Sequence, residues 1–357
     1  MNGLERLQNY VINQELDGML IMSPVNLHYF AGFTGTTGVA FITQKSVHII
    51  TDFRYTEQAQ NQCTGYTVVQ YTTSVWDALI DILNEYHIHG GLLGIEGKTM
   101  PVDTYEILCE VLGEHFDFTS INLAELRASK REDELVLMRK AAEIADEAFA
   151  VLLSKLKVGM TEQEARIILE SEMLLRGSDE PSFATIVASG HRSSMPHGIA
   201  SDKIIEQGDF VTFDFGAVYK GYHSDMTRTV VMGPASYRQK ELYGIVLRAQ
   251  KKGVDAVKRG LTGAELDAIC RDSIKANGYG EHFNHGLGHG VGLEIHELPI
   301  ASPSSESILE ENMIITVEPG VYLPGDIGLR IEDSVVVKAD GCEVLTHSPK
   351  ELIEIGI

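Results

Sequence analysis

The sequence contains a diverged repeat, and this repeat limits the possible folds more than any other feature. The segments KVGMTEQEA (157–165) and KRGLTGAEL (258–266) share a Lys-x-Gly-apolar-Thr-x-x-Glu pattern and begin 101 residues apart. In each segment, a Thr with Glu three residues later predicts a capping box and an amphipathic helix, ending near Gly177 or Gly278. Because capping boxes are common, the repeat is informative only if the residues downstream also match.

Downstream of the first copy, the segment FVTFDFGAVYKGYHSDMTRTVVM predicts a β-hairpin. If Tyr219 and Lys220 form a two-residue turn, Asp214 lies directly opposite Asp225, with Cβ atoms about 5 Å apart. Two carboxylates this close repel each other unless a cation or a proton lies between them. A solvated pair on an exposed hairpin is the alternative, but the apolar neighbours in VTFDFG argue against it.

Downstream of the second copy, the segment MIITVEPGVYLPGDIGLRIEDSVVV predicts another hairpin. A turn centred on Gly325 places Glu318 opposite Glu332. These two residues follow Asp214 and Asp225 by 104 and 107 residues, close to the offset of the helices. The repeat therefore has matching parts in matching order, and it predicts two pseudo-symmetric halves that each supply an opposed carboxylate pair to one centre.

The histidine-rich segment HGLGHGVGLEIHE (285–297) has glycine at every second position from 286 to 292. This spacing strongly disfavours a helix, and with it a helical His-x-x-x-His zinc site. In an extended chain, the glycines let another backbone or a substrate approach closely. His289 and His296 then point to opposite faces, so a bend or bulge must lie between them if both serve one site.

Four carboxylates and at least one imidazole make a good site for two divalent ions. Oxygen-rich ligation favours Mn²⁺ or Mg²⁺-like ions, and the imidazole adds Fe²⁺, Co²⁺ and Zn²⁺ to the candidates. Two ions about 3.5–4 Å apart activate a shared water and polarise a carbonyl, which predicts hydrolysis. A structural zinc site does not fit an oxygen-rich ligand set, and no P-loop or GxSxG motif competes with the metal site.

The rest of the chain predicts two domains of mixed α/β (α+β) class. The first third alternates helical and strand patterns, among them the short buried strands DGMLIM, GVAFIT and SVHIITD. A long amphipathic helix follows, and Ser129 with Glu132 forms a capping-box pattern at its start. We therefore predict a small α/β domain over residues 1–125 and a second domain over residues 126–357.

Charge and cysteine content limit the partners and the compartment. Acidic residues outnumber basic ones 51 to 29, so the net charge of −22 disfavours binding to nucleic acid or anionic membranes. The four cysteines are scattered without CxxC spacing, which suits a reducing compartment. Neither a signal-peptide pattern nor an apolar run of about 18–20 residues is present, so we predict a cytoplasmic protein.

The motifs VTFDFG, SDMTRT, HGLGHGVGLEIHE, TVEPGVY and GLRIEDSV, in this order, resemble those of the pita-bread metallopeptidases. The similarity is greatest to the Xaa-Pro branch, prolidase and aminopeptidase P, because SPVNLHYFAGFTGTTG and TDFRYTEQA resemble its amino-terminal domain. The resemblance covers essentially the whole chain. It implies a small creatinase/prolidase-like domain followed by a pseudo-twofold pita-bread catalytic domain.

The resemblance implies five metal ligands, which are Asp214, Asp225, His289, Glu318 and Glu332. Asp225 and Glu332 would bridge two ions. Asp214 would complete the ligand shell of one ion, whereas His289 and Glu318 would complete that of the other. Glu318 also resembles the carboxylate that takes a proton from the bridging water.

Four further residues match residues of the family's active site. His197 and His296 resemble the histidines that line the substrate site and stabilise the tetrahedral intermediate. Arg330 matches a basic residue behind the metal cluster, and Tyr322 matches one close to it. Three of them also have a simpler interpretation: His197 as a solvated loop residue, Arg330 as a neutralising charge, and Tyr322 as a core aromatic.

The implied activity is metal-dependent hydrolysis of the Xaa-Pro peptide bond, which releases the N-terminal residue from small Xaa-Pro peptides. Dipeptidase and aminopeptidase activity both stay open. A non-catalytic pita-bread binding protein is the alternative, and the full set of five ligands argues against it. We expect His191 and His285 to have structural or supporting roles. The resemblance also implies a homodimer in which the loop GFTGTTG or NLHYF completes the neighbouring site.

Overall fold

The computed structural model describes residues 3–356 and divides the chain into two compact units. The first unit ends at Arg127 and the second begins at Ala128. Among the helices of the described residues, none is long and apolar enough to cross a membrane.

The first unit is a six-stranded mixed sheet with helices. Its strands are β1 (Gly18–Ile21), β2 (Val39–Ile42), β3 (Val47–Thr51), β4 (Thr67–Gln70), β5 (Gly91–Ile95) and β6 (Phe116–Ser120), in the spatial order β4-β3-β2-β1-β5-β6. Its helices are α1 (Gly3–Asn13), α2 (Pro24–Ala31), α3 (Thr56–Gln62), α4 (Val75–Glu85) and α5 (Val102–Leu112), and α6 (Ala124–Ala128) spans the division between the units. The central strands β1, β2 and β3 are buried along their whole length, as their apolar runs predict.

The second unit contains the two halves predicted from the repeat. The first half has helices α7 (Glu132–Lys155) and α8 (Glu162–Leu175) and strands β7 (Ile186–Ser189), β8 (Phe210–Phe215), β9 (Val218–Tyr219), β10 (Tyr222–His223) and β11 (Met226–Met232). The second half has helices α9 (Tyr237–Ala256) and α10 (Gly263–Lys275) and strands β12 (Gly288–Gly290), β13 (Glu297–Ala301), β14 (Ile314–Val317), β15 (Gly320–Leu323), β16 (Ile327–Arg330), β17 (Asp333–Lys338) and β18 (Gly341–Val344). The final strand β19 (Glu354–Ile355) returns to pair with β11.

The equivalent helices α8 and α10 begin and end as predicted. Thr161 and Thr262 are their N-caps, and each hydroxyl accepts a hydrogen bond from the backbone N–H of the Glu three residues later. Each helix is followed by a glycine at positive φ, Gly177 at 94° and Gly278 at 86°. The two capping boxes are therefore confirmed.

The capping box predicted at Ser129 is wrong. Helix α7 begins at Glu132, its N-cap is Arg131, and the N-cap N–H donates to Glu134 Oε2 at 2.8 Å. The Ser129 hydroxyl instead donates to the backbone carbonyl of Glu311 at 2.7 Å. Ser129 takes part in an isolated β-bridge with Met313, and this pairing holds it outside the helix.

The first carboxylate hairpin turns one residue later than predicted. Its turn residues are Lys220 and Gly221, both at positive φ, 50° and 81°. A two-residue turn of this kind requires positive φ at both positions, which glycine adopts without a steric penalty. The later turn shifts the strand register by two, so Asp214 lies opposite Thr227 and the predicted direct pairing with Asp225 is wrong.

The second carboxylate hairpin has the predicted register. The ladders β14–β17 and β15–β16 keep one register across a short gap, and the turn contains Gly325 at a φ of 73°. Glu318 and Glu332 lie opposite each other in that gap. Their backbone N–H groups donate elsewhere, to Leu287 O at 3.0 Å and to Thr227 O at 3.1 Å. These two hydrogen bonds connect the second hairpin to the first hairpin and to the histidine-rich segment.

Each half of the second unit has its own apolar core. In the first half, Phe149 of α7 packs against Phe213 and Phe215 of β8. In the second half, α9 and α10 pack with β14 and β17 around buried residues that include Cys270 and Val335. Successive strand residues face opposite sides of a sheet. Because Phe213 and Phe215 face the apolar core, the alternate residues Thr212 and Asp214 face away from it.

Candidate metal centre

Three carboxylates from the two hairpins converge on one point. Asp214 lies near the end of β8, Asp225 directly precedes β11, and Glu332 directly precedes β17. Each offers a carboxylate oxygen, and these oxygens lie within 4.8 Å of one another. All three belong to the ligand set implied by the sequence, and the altered hairpin register does not separate them.

His289 and Glu318 extend this cluster. His289 Nε2 lies 3.5 Å from Asp225 Oδ2 and 3.4 Å from Glu318 Oε1. The other ring nitrogen, Nδ1, lies 3.0 Å from the backbone carbonyl of Gly290. When the Nδ1–H of a neutral imidazole donates to this carbonyl, the Nε2 lone pair faces the carboxylates, which is the orientation of a metal-binding histidine.

The hydrogen bonding of the cluster fits a cation. Among the described residues, Asp214 Oδ1 and Glu332 Oε1 are buried carboxylate oxygens that accept no hydrogen bond. A buried carboxylate oxygen without a partner is costly unless a cation neutralises it. Four carboxylates and an imidazole are also the donor types that divalent ions such as Mn²⁺ take. The residues present therefore fit divalent ions.

The electrostatics lead to the same conclusion. Burial raises the pKa of Asp225 and Glu332 well above the ordinary range, and neighbouring carboxylates add to the effect. Burial also raises the pKa of Glu318 to about 7, although the nearby Arg330 opposes this shift. Burial lowers the pKa of His289, which favours the neutral, ligating form.

Arg330 and Tyr322 lie beside the carboxylates. The Arg330 guanidinium forms an ion pair with Asp214, and its Nε donates to Thr227 Oγ1 at 3.0 Å. Its Nη1 donates to Tyr322 Oη at 2.6 Å. Both side chains are buried, so Arg330 contributes a fixed positive charge and orients the phenol.

The histidine-rich segment bends where the sequence requires it. Strand β12 pairs with β13 with a register shift between His289 and Gly290, and residues 292–296 form a bend. The rings of His289 and His296 consequently lie 4.3 Å apart, centroid to centroid, on the same side. A Cβ atom added to Gly288 would lie 2.0 Å from the Thr316 carbonyl, so this glycine permits close backbone packing.

The cluster opens into a cavity of about 850 Å³, a size typical of ligand sites. His197 and His296 both line this cavity, and both are exposed. His197 lies in a turn after the 3₁₀ helix Gly190–Ser194. All nine site residues implied by the resemblance line the same cavity. The structure therefore brings the whole implied set together.

The two histidines expected to have structural or supporting roles differ in their positions. His285 lines the cavity, where its Nε2 lies 3.3 Å from Tyr322 Oη, and burial lowers its pKa to about 4. His191 is exposed and does not line the cavity.

Sequence reasoning did not identify two supporting hydroxyls and the apolar walls. Thr227 Oγ1 donates to Glu332 Oε2 at 2.6 Å, and Thr316 Oγ1 donates to Glu318 Oε1 at 3.1 Å. Thr227 lies two residues after Asp225, and Thr316 lies two residues before Glu318. This spacing of two, typical of residues on one face of a strand, is the sequence signal for both hydroxyls. The apolar wall residues include Phe183, Ile186, Ile199, Ile295, Ile300 and Pro324, and no sequence pattern distinguishes them from other apolar residues.

Two family models match the chain. Residues 136–339 match metallopeptidase family M24, and residues 4–129 match the creatinase/prolidase N-terminal domain. Together they match both structural units in order.

Similar proteins support the same relationship. An Xaa-Pro dipeptidase of solved structure from Bacillus anthracis is 46% identical, with a TM-score of 0.95 and 99% of each chain covered. An X-Pro aminopeptidase from Thermotoga maritima is 38% identical, with a TM-score of 0.91, and 99% of this chain and 100% of that chain are covered. An Xaa-Pro dipeptidase from Pyrococcus furiosus is 40% identical, over 98% of this chain and 99% of its own length.

Proposed function

The chain belongs to metallopeptidase family M24, and from this premise we propose that it hydrolyses Xaa-Pro peptide bonds and releases the N-terminal residue. The observation that carries the proposal is the buried cluster of Asp214, Asp225 and Glu332, which lies in a cavity large enough for a small peptide. Relatives over the full length include proteins described as Xaa-Pro dipeptidases and as an X-Pro aminopeptidase. Both di- and tripeptides are therefore candidate substrates.

The centre in this proposal holds two divalent ions, with Mn²⁺ favoured and Co²⁺, Zn²⁺ or Fe²⁺ as substitutes. The proposed ligands are Asp214, Asp225, His289, Glu318 and Glu332. Asp225 and Glu332 would be shared between the two ions, and the oxygen-rich ligand set favours Mn²⁺.

Bound divalent ions would lower the pKa of a water molecule and polarise the carbonyl of the scissile bond. Glu318 would accept the proton of the attacking water, because its carboxylate lies at the cluster, 3.4 Å from His289 Nε2. His197 and His296 would donate hydrogen bonds to the oxygen on which negative charge develops. Arg330 would add a fixed positive charge, and Tyr322, held by Arg330, would contact the substrate.

A peptidase assay tests this proposal. The purified protein, treated with a chelator and then supplied with Mn²⁺, is given Leu-Pro, Leu-Pro-Gly and the matched peptides Leu-Ala and Leu-Ala-Gly. We expect release of leucine from at least one proline peptide at a rate at least about tenfold above its alanine match, and no release in chelator. Asp225→Asn should lose at least about 100-fold in kcat, as expected when a catalytic interaction is removed. Equal rates on the proline and alanine peptides, or full activity of Asp225→Asn at saturating Mn²⁺, would contradict the proposal.

We also propose that the protein is a cytoplasmic homodimer with a domain boundary between residues 125 and 126. The division of the structure after Arg127 supports the boundary, and four free cysteines support a reducing compartment. The dimer rests on resemblance to the Xaa-Pro branch. Sedimentation velocity tests it, because a monomer at micromolar concentration would contradict it.

A further inference from the structure

Strand β11 carries a buried arginine, Arg228, that has no role in the proposed reaction. Its side chain is 1% exposed. Nε and Nη2 donate to Ser348 O at 3.0 and 2.8 Å, and Nη2 also donates to Asp333 Oδ1 at 2.8 Å. Nη1 donates to Thr227 O at 3.0 Å and to Glu332 O. These five contacts match the five N–H groups of a guanidinium.

Two of these contacts fix the backbone on both sides of the carboxylate cluster. Arg228 Nη1 joins the carbonyls of Thr227 and Glu332, and the Glu332 N–H donates to the same Thr227 carbonyl. The Thr227 hydroxyl then holds the Glu332 carboxylate. Because Glu332 lies in the gap between two ladders, these contacts take the place of strand pairing there.

Asp333 holds the other side of the guanidinium. Its side chain is fully buried and accepts hydrogen bonds from Gln250 Nε2 at 2.8 Å and Thr346 Oγ1 at 2.9 Å, as well as from Lys350. Asp333 directly follows Glu332 in the chain. Its rigid position therefore constrains the peptide unit that carries the Glu332 side chain.

The C-terminal segment completes the arrangement. The Ser348 carbonyl accepts from both Nε and Nη2 of Arg228. Ser348 is fixed in turn by Asp146 of helix α7, whose Oδ1 accepts from the Ser348 N–H and hydroxyl, both at 2.6 Å. Helix α7, the C-terminal segment and the Glu332 backbone are therefore joined through one guanidinium.

We propose that the buried Arg228–Asp333 pair positions Glu332 for divalent-ion binding. The inference rests on the proposed function, in which Glu332 is a metal ligand. Groups that orient a ligand without touching the ion typically change metal affinity 10- to 100-fold when they are altered. A purely stabilising role is the alternative, but well-packed apolar residues often replace a buried ion pair without loss of stability. The network is better explained by the geometry that it imposes on Glu332.

The test is the Mn²⁺ dissociation constant of Arg228→Lys, measured by isothermal titration calorimetry on the full chain after chelator treatment. Lysine keeps the positive charge but cannot reproduce the planar five-donor geometry. We expect Mn²⁺ binding about 10- to 100-fold weaker than in the wild type. Turnover should fall at limiting Mn²⁺ and recover as Mn²⁺ approaches saturation.

Two further variants separate positioning from stability. Val337→Ala lies in the same strand β17 but contacts the apolar core, so it should lower the melting temperature without changing Mn²⁺ affinity. The double variant Arg228→Met/Asp333→Leu removes both charges of the pair, and Lys350, the other cation on Asp333, is 21% exposed and can be solvated. The variant therefore leaves no unpaired charge fully buried, and we expect it to fold and to bind Mn²⁺ about 10- to 100-fold more weakly.

The outcomes distinguish the two proposals. Wild-type affinity in Arg228→Lys or in the folded double variant would overturn the positioning role alone. Equally weakened Mn²⁺ binding in Val337→Ala would also overturn the positioning role, because Mn²⁺ affinity would then follow the stability of the fold. A wild-type chain that binds no Mn²⁺ would overturn the proposed function and the positioning role together.

Discussion

Glu318 combines several physical constraints in one side chain. It faces Glu332 across a gap in the second hairpin, lies 3.4 Å from His289 Nε2 and accepts a hydrogen bond from Thr316. Burial raises its pKa to about 7 from an ordinary value of 4.5. Without a cation, the folded chain therefore holds a proton on Glu318 more tightly than the unfolded chain does.

This shift predicts how the stability of the metal-free protein depends on pH. Between pH 4.5 and about 7, the folded state binds more protons at Glu318 than the unfolded state. The contribution of Glu318 to the free energy of unfolding therefore falls as pH rises through this window and levels off above it. Glu318→Gln, which does not titrate, should lose less stability over the same range. Urea unfolding in chelator at about pH 5 and about pH 8 measures the free energy of unfolding of the wild type and of Glu318→Gln. Identical losses of stability in the two proteins would contradict the raised pKa of Glu318.

The hairpins show what can be predicted from sequence for a strand pair. The second hairpin has the predicted register because a turn with Gly325 at its centre fits only one alignment. The first hairpin was misaligned because Lys220 adopts positive φ together with Gly221, a conformation that a lysine rarely takes. Alternation nevertheless identified the correct strand face, since a two-residue shift leaves every side chain on its original side.

The glycines of the histidine-rich segment were predicted to permit close approach, and Gly288 does so. Gly288→Ala would place a Cβ atom 2.0 Å from the Thr316 carbonyl of strand β14. We expect a loss of about 1–3 kcal/mol in the free energy of unfolding, because the backbone must move. Mn²⁺ binding should also weaken, since Thr316 accepts from the His289 N–H and donates to Glu318.

Gly244→Ala is the matched control for this prediction. Gly244 lies inside helix α9, where the nearest atom to an added Cβ is the flexible end of Arg248 at 3.2 Å. Alanine should stabilise this helix by about 0.5–1 kcal/mol. Urea unfolding and Mn²⁺ calorimetry on both variants provide the comparison. A Gly288→Ala protein as stable as Gly244→Ala would show that the close approach does not matter.

The arrangement of the molecule follows from the repeat and the order of the motifs. Two capped helices and two carboxylate hairpins, predicted from sequence, correspond to the two halves of the second unit. The walls of the cavity could not be predicted, because residues such as Phe183 and Ile300 approach the site only through tertiary packing. The support from Arg228 was also missed, although Arg228 alternates with the apolar residues Met226 and Val230 and therefore shares their strand face.

In the proposed centre, the two hairpins and His289 together hold a pair of divalent ions. Anomalous diffraction from crystals of the Mn²⁺-loaded protein locates each ion independently of activity. We expect two anomalous peaks about 3.5–4 Å apart, both next to Asp225 and Glu332. One peak should lie next to Asp214, and the other next to His289 and Glu318. A single peak, or no peak among these carboxylates at saturating Mn²⁺, would show that the chain does not hold the proposed pair of ions.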